Sequence, residues 1–295
     1  MIKQLKYHNV TWIDIQAPSK DELESIGKQY DLHSLVTQEL TEPSIRSKVD
    51  LYENYIYVIL HFSPTQEIDF VIGQDFLMTV HYEPIESLLE FSQIFETKAT
   101  VEKARGQFHA GHLFYYITRG LYTSLENGLN EINRDLRSVE KRIFHGEEKA
   151  MVTTLANINR DLLDFRWALK AHKEILTSLE IAGVDFFNQK FGYYLRSLTG
   201  EYEKIWEGLN TNREVFDELK STNESLLSIK TNETMKMLTV IAFIFLPVSL
   251  IGNIFGLSSS QLPFLDRPDG FFIVTGIMAV VALTMAVIAK ANRWL

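Results

Sequence analysis

A stripe of small and polar residues crosses an apolar stretch near the C-terminus of this chain. Residues at its three- or four-residue spacing share one face of an α-helix. Hydroxyl and amide groups inside a bilayer either pack helices together or contact water and ions. Because this polar stripe is continuous from a charged region into the apolar stretch, we favour a water-lined path over plain helix packing. Its members are Glu218, Ser221, Ser225, Ser228, Asn232, Met235, Thr239, Ala242, Leu246, Ser249 and Asn253.

The polar stripe enters the first of two apolar segments, 237–255 and 271–289, neither of which contains a charged residue. Each segment would reach about 28 Å as an α-helix, close to the thickness of the hydrocarbon core of a bilayer. The two segments therefore predict a helical hairpin in a membrane. A single helix cannot enclose a path, so symmetric copies of the chain would have to surround it.

The charges that flank the two segments predict their orientation. Lys236 precedes the first segment, and Lys290 and Arg293 follow the second, whereas the loop between the segments contains one cation and two acids. Basic residues favour the cytoplasmic side. The N-terminus lacks the apolar core of a signal peptide. We therefore expect a multi-pass protein of the cell (inner) membrane with both termini in the cytoplasm.

The predicted fold class is an α+β cytoplasmic domain with long helices, followed by the transmembrane hairpin. Residues 1–110 are predicted to form a cytoplasmic α/β domain, with a strand-like run at 9–15, strands of one sheet at 55–62, 68–72 and 75–81, and a helix capped by Ser19. Antiparallel long helices (113–144 and 152–180, with a break at 145–146) occupy 111–184. A stalk helix follows at 185–234, and residues 235–295 hold the two spans (about 237–255 and 271–289) with an outer loop.

The stalk helix has a second periodic face, which predicts a packing seam against another helix. Its members repeat at a heptad-like 3-4 spacing, the pattern of helices that pack along their length. They are Leu195, Leu198, Tyr202, Ile205, Leu209, Asn212, Phe216, Leu219, Asn223 and Leu226.

Composition excludes several classes of protein. The net charge of −9 disfavours nucleic acid as a partner, and the absence of cysteine excludes disulfides and thiolate metal sites. No nucleophile, general base or nucleotide-binding loop is recognisable, so we expect neither an enzyme nor a resident cofactor. His109 and His112 could share a helix face and bind a transition metal, but no third ligand lies near them. His61 and His81 lie in strand-like runs and are typical of core or surface histidines. No metal-binding residue is therefore assigned.

Two stretches resemble the CorA family of divalent-cation transporters. Residues 230–247, KTNETMKMLTVIAFIFLP, resemble the start of that family's pore helix. Residues 11–40, TWIDIQAPSKDELESIGKQYDLHSLVTQEL, resemble its N-terminal segment. The resemblance implies a funnel-shaped homopentamer in a lipid bilayer that moves divalent cations through a pore lined by the first span. Mg²⁺ is the favoured cation, with Co²⁺ and Ni²⁺ as further candidates.

The resemblance and the polar stripe together give a set of pore-lining residues. The resemblance puts Asn232, Met235, Leu238, Leu246 and Ser249 on pore-facing positions. The polar stripe adds three more, so the predicted set is Asn232, Met235, Leu238, Thr239, Ala242, Leu246, Ser249 and Asn253.

One departure from the family pattern concerns the outer mouth of the pore. The signature Gly-Met-Asn aligns with Gly256, Leu257 and Ser258, so a serine replaces the asparagine that holds the hydrated ion. Either Asn253 supplies a replacement amide ring, or the outer site is lost. The family's acidic regulatory position falls on Ser197. A Zn²⁺ transporter of the ZntB-like branch and a transport-deficient membrane sensor or scaffold therefore stay open as alternatives.

Overall fold

The structure is a computed structural model that describes residues 2–7, 9–96, 108–256, 269–292 and 294. Within these residues the chain forms six strands and eight helices. It divides into two compact units, residues 1–220 and residues 221–295. The first unit contains the sheet and most of the helices, and the second contains the C-terminal part of the longest helix together with the last helix.

A six-stranded mixed sheet forms the base of the first unit. The strands are β1 (Ile2–Tyr7), β2 (Val10–Gln16), β3 (Lys48–Leu51), β4 (Ile56–His61), β5 (Glu67–Ile72) and β6 (Phe76–His81). Their order is β1-β2-β6-β5-β4-β3, and only the β2–β6 pair is parallel among them. The three strands predicted to share a sheet are confirmed, and the strand-like run 9–15 joins the same sheet as β2. The two edge strands were not predicted, because β1 (IKQLKY) does not alternate cleanly and β3 (KVDL) has only four residues.

Two short helices cover one face of the sheet. Helix α1 (Lys20–Gln29) begins with the predicted cap, where the Ser19 side chain accepts a hydrogen bond from the Glu22 amide and Glu22 accepts one from the Ser19 amide. Helix α2 (Ser34–Glu39) follows. Their apolar residues enclose a core with the sheet residues Ile13, Ile15, Tyr57, Ile59, Val71, Met78 and Val80.

Tight turns join the elements where the sequence predicted them. Between β5 and β6, the Gly73 amide donates to the Phe76 carbonyl (2.9 Å), and a Cβ at Gly73 would collide with the Phe76 ring. Gly146 adopts a φ of 90°, which favours glycine, at the predicted break between α4 (Ala110–Phe144) and α5 (Glu148–Leu169). Helix α3 (Glu86–Glu96) follows the sheet and packs against α4.

Two predicted helix boundaries are wrong. The run 152–180 was expected as one helix, but α5 ends at Leu169 and α6 (His172–Phe186) begins three residues later. No glycine or proline marks this break. Instead His172 is fully buried, where its ring nitrogens contact the Tyr122 hydroxyl and the His61 carbonyl (both 2.9 Å), so long-range contacts hold the break. Burial lowers the pKa of His172 to about 4, which keeps this ring neutral.

The longest helix also begins later than predicted. The sequence suggested a start near Asp185, whereas α7 runs over Gly192–Gly256. The intervening turn is held by Asn188, whose side-chain oxygen accepts from the Phe191 amide (3.1 Å). The Phe191 ring is buried against His109, at 5.0 Å between ring centroids. The last helix, α8, spans Gly270–Ala291.

The packing seam on α7 is confirmed. Its predicted members from Leu195 to Asn223 are buried, and Leu226 is half-buried. Within the first unit Asn212 registers α7 against α4. Its amide donates to the Leu129 carbonyl and its oxygen accepts from the Asn133 amide, both at 3.0 Å. A buried polar pair of this kind fixes register, because any shift along the helix leaves polar groups unpaired.

We expect the Asn212→Ala variant to lose about 1–3 kcal/mol of the free energy of unfolding, because the Asn133 amide and the Leu129 carbonyl each lose a hydrogen bond to α7. Denaturant unfolding of the full-length protein in detergent measures the change. Thr211→Ala is the matched control, since the Thr211 hydroxyl bonds only to its own helix and the side chain is exposed. Equal stability of the two variants would show that Asn212 does not fix the register.

Candidate functional site

Two helices are long and apolar enough to cross a membrane among the residues described. The apolar window of α7 has a mean hydropathy of 2.3, and that of α8 has 2.6. Both windows are almost entirely unburied in the single chain. A large apolar surface of this kind is stable in lipid and not in water. The two predicted spans are thus present as helices, with α8 longer at both ends than its predicted range 271–289.

Helix α8 covers one side of the apolar part of α7. Near one end Phe243 meets Trp294 edge to face, with ring centroids 5.5 Å apart. Farther along, Gly252 approaches Met278, because a Cβ on this glycine would lie 3.5 Å from the methionine methyl group. The half-buried residues of this part of α7 mark the covered face: Phe243, Ile244, Pro247, Val248, Ile251, Gly252 and Phe255.

The predicted pore-lining residues lie on the uncovered side of α7. On an ideal helix the mean direction of the polar stripe is about 180° from the face that α8 covers. All eight side chains are exposed in the single chain, namely Asn232, Met235, Leu238, Thr239, Ala242, Leu246, Ser249 and Asn253. The eight positions thus form one open face, with Leu238 at its edge.

The open face alternates polar groups with apolar ones. The Thr239 hydroxyl donates to the Met235 carbonyl of its own helix (2.8 Å), so its oxygen lone pairs remain for an outside donor. Asn253 and Ser249 present an amide and a hydroxyl one helical turn apart. Three residues with large apolar side chains, Met235, Leu238 and Leu246, lie along the helix between Asn232 and these groups. Each of the three side chains is at least 60% exposed.

The structure describes two of the four residues predicted for the outer mouth of the pore. Asn253 and Gly256 lie at the end of α7 and are exposed. Leu257 and Ser258 lie outside the described residues. Asn253 is therefore the last polar side chain of the polar stripe that the structure describes, and its assignment to the outer mouth stays a prediction.

His109 and His112 form an aromatic cluster. Their ring centroids are 4.0 Å apart, and His109 stacks on Phe187 at 4.3 Å. Burial lowers the pKa of His109 to about 3 and also lowers that of His112. No group of three potential ligands placed to hold a metal ion occurs among the described residues. These two rings pack against phenylalanines, and their rejection as ligands remains a prediction.

The other two histidines considered in the sequence analysis lie in the core, which is one of the two locations predicted for them. His61 and His81 are each at most 4% exposed. His81 contacts the Glu83 carbonyl (2.6 Å) and Asp14 (3.4 Å). The Ser197 hydroxyl contacts the Tyr115 hydroxyl at 3.3 Å. Its assignment to the family's acidic regulatory position stays a prediction.

Sequence reasoning missed one polar cluster, which surrounds Asp69 in the sheet. The signal was available, because two acids alternate with apolar residues in the otherwise apolar strand β5, EIDFVI. Such a strand would normally be read as having one solvent-facing side. Instead Glu67 and Asp69 are both buried.

Comparison with known proteins identifies the family. The model of the family described as "CorA-like Mg2+ transporter protein" matches residues 7–293. The chain belongs to the CorA family. The cobalt/magnesium transport protein CorA of Thermotoga maritima is 24% identical over 97% of this chain and 83% of that protein. The resemblance inferred from 230–247 and the N-terminal segment is therefore confirmed.

Solved structures support the same fold. The complete structure of the CorA magnesium transporter from Methanocaldococcus jannaschii matches with a TM-score of 0.81 and 21% identity, over 99% of this chain and 93% of that one. The full-length CmaX protein matches with a TM-score of 0.75 and 18% identity, over 97% and 89%. The predicted α+β domain with long helices and two C-terminal spans is confirmed. CorA-family members are transporters, which agrees with the prediction that this chain is not an enzyme.

Cysteine scanning tests which face of α7 contacts water. The natural chain has no cysteine, so each single variant carries one thiol. We expect cysteines at Ala242 and Ser249 to react with a charged, water-soluble thiol reagent at least about tenfold faster than cysteines at Ile244 and Ile251, because thiolates form in water and not against packed apolar side chains. The rates are measured on the protein in liposomes. Faster reaction at Ile244 and Ile251 would place the water path on the other face.

Proposed function

We propose that this chain is a CorA-family divalent-cation channel that moves hydrated Mg²⁺ through a central pore of a homopentamer. The observation that carries the proposal is the open face of α7, which holds the polar stripe on the side away from α8. In hydrocarbon these hydroxyl and amide groups would lack partners. Five copies arranged around an axis would turn the open face inward and surround it with water.

The chemistry of the open face suits a hydrated cation. Mg²⁺ releases its water reluctantly and prefers oxygen ligands. In the part of the polar stripe that lies in the apolar segment, every side-chain oxygen belongs to a hydroxyl or an amide. The one carboxylate of the whole polar stripe, Glu218, lies outside that segment. Neutral oxygens can bind hydration water without holding a divalent ion too tightly to pass. Mg²⁺ is therefore the first candidate, with Co²⁺ and Ni²⁺ as further substrates.

The apolar residues of the open face would control conduction. Rings of Met235, Leu238 and Leu246 would form constrictions that close when water leaves them. The driving force is electrical, at about 2.3 kcal/mol per charge per 100 mV, hence roughly 4.6 kcal/mol for a divalent cation. The protein would lie in the cell (inner) membrane with both termini in the cytoplasm. An interior-negative potential would then draw cations inward.

The altered outer mouth supports a second candidate. Serine at position 258, in place of the family's asparagine, removes an amide that would hold hydration water. This favours either a ZntB-like Zn²⁺ transporter or a membrane sensor or scaffold without transport. A transporter of any divalent cation and a scaffold differ in flux, so one assay separates them.

Purified protein reconstituted in liposomes tests the proposal directly. We expect five-fold symmetric particles on imaging in detergent, and Mg²⁺ uptake that rises with an inside-negative potential. Zn²⁺ and Co²⁺ are assayed in parallel as competing substrates. Liposomes without protein are the control. Particles with five-fold symmetry but no flux of any divalent cation would support the scaffold instead, and a monomer or two-fold dimer would remove the basis for the pore.

The outer mouth makes a sharper prediction. We propose that Asn253 supplies the amide ring that Ser258 cannot, because an amide both donates to and accepts from hydration water through two separate groups. Asn253→Ala should therefore reduce Mg²⁺ uptake by about tenfold or more, whereas its matched control Ser258→Ala should change uptake by less than about twofold. Uptake is compared at equal amounts of assembled protein. Equal uptake by wild type and Asn253→Ala would show that the outer mouth does not use this amide.

A further inference from the structure

Two acidic side chains lie buried side by side in strand β5. Glu67 and Asp69 are two residues apart and therefore share one face of the strand. Their side chains are almost fully buried, with Glu67 4% and Asp69 0% exposed. Two carboxylates this close repel each other, so ionising both inside the sheet is costly.

The surroundings supply Glu67 with donors. Both of its carboxylate oxygens accept from the Ser44 amide (2.8 Å each), and one lies 3.1 Å from Nε2 of His61. His61 is fixed in turn, since its Nδ1 contacts the Ser47 hydroxyl at 2.8 Å. Both carboxylate oxygens of Glu67 thus have a hydrogen-bond donor.

Asp69 has weaker hydrogen-bond donors than Glu67. Its Oδ2 has only two long contacts, to the hydroxyls of Tyr57 (3.4 Å) and Tyr82 (3.3 Å). Its Oδ1 is buried and has no hydrogen-bond partner among the described residues. Burial raises the pKa of Asp69 well above its usual value, and the neighbouring carboxyl group of Glu67 raises this pKa further. A proton on Asp69 would turn the unpaired acid into a donor toward Glu67.

Tyr82 links Asp69 to a segment without regular structure. Its hydroxyl lies 3.1 Å from the Glu42 carbonyl and 3.3 Å from Asp69 Oδ2. A phenol has one hydrogen, so it can donate to one of these two acceptors at a time. The carbonyl competes well with a neutral acid, whereas an ionised carboxylate is the stronger acceptor. The protonation state of Asp69 therefore decides which bond Tyr82 makes.

We propose that Asp69 is a proton-operated latch on residues 42–47, the connection between α2 and β3. With Asp69 protonated, Tyr82 donates to the Glu42 carbonyl and holds the connection against the sheet. When Asp69 releases its proton to solvent, Tyr82 turns its hydrogen to the carboxylate and the Glu42 carbonyl loses this donor. The connection then depends on its contacts with Glu67 and His61 alone.

Other charged groups near Asp69 do not replace its proton. Lys48 on β3 lies 5.1 Å from the centre of the Tyr57 ring, but its ammonium group is paired with Glu39 and Asp50, each at 2.6 Å. The titratable and charged groups around the latch are Glu67 on β5, His61 and Tyr57 on β4, Tyr82 after β6, Lys48 on β3, and Glu39 and Glu42 at and after the end of α2.

The sign of the pH dependence follows from the raised pKa of Asp69. The unfolded chain loses this proton near the usual pKa of aspartate, whereas the folded chain retains it. The contribution to stability is therefore full at acid pH and is lost as pH rises toward the folded-state pKa. The latch itself opens when pH passes that folded-state value.

Hydrogen exchange of the full-length protein in detergent tests the latch. After correction for intrinsic base catalysis, we expect exchange of the peptide covering residues 42–47 to rise roughly five- to tenfold as pH rises through the folded-state pKa of Asp69. Asp69→Asn, a neutral isostere, should keep exchange low across this range. Tyr82→Phe should give fast exchange at every pH, because the donor is absent. Asp75→Asn, which removes an exposed acid on the β5–β6 turn, should behave like the wild type.

Infrared spectroscopy gives an independent readout of the proton. At a pH just above the usual pKa of carboxyl groups, the wild type should show the C=O stretch of a protonated carboxylic acid, and Asp69→Asn should lack it. Three results would each overturn the latch. They are a wild-type exchange rate that does not change with pH, a pH response in Asp69→Asn equal to that of the wild type, and slow exchange at neutral pH in Tyr82→Phe.

Discussion

The open face of α7 is the constraint on which the arrangement of the second unit depends. A row of hydroxyl and amide groups cannot face hydrocarbon without cost, because lipid offers them no hydrogen-bond partner. Helix α8 does not relieve this cost, since it covers the opposite side of α7. Water and further copies of the same helix can relieve it. A pore lined by α7 is thus the arrangement in which the polar stripe and the apolar outer surface both find a suitable environment.

The polar groups of the open face are neutral. Within the apolar segment the polar stripe has amides and hydroxyls and no carboxylate, and the Ser197 hydroxyl contacts the neutral Tyr115 hydroxyl. A neutral oxygen attracts a divalent cation less strongly than a carboxylate does. We therefore expect these groups to bind a divalent cation only weakly.

In the first unit, buried polar residues fix how the elements meet. His172 joins α6 to α4 and to strand β4, and Asn212 joins α7 to α4. These groups gain little net free energy, but leaving one of them unpaired is costly, so they select one register among many. Asp69 differs from them, since one of its oxygens has no partner among the described residues. That difference is the geometric basis of the latch proposed for Asp69.

The sequence by itself determined the features that depend on local patterns. The two spans follow from uninterrupted apolar length and helix α1 from its capping residue. The buried seam of α7 and the strand-like runs follow from periodicity and residue type, because such patterns are set by neighbouring positions. Tertiary structure decided the rest. The break before His172, the side of α7 that α8 covers, and the burial of Asp69 beside Tyr82 involve residues between 13 and 111 positions apart. A pattern along the chain cannot reveal these contacts, since a side chain's partners at such separations are set only when the elements pack.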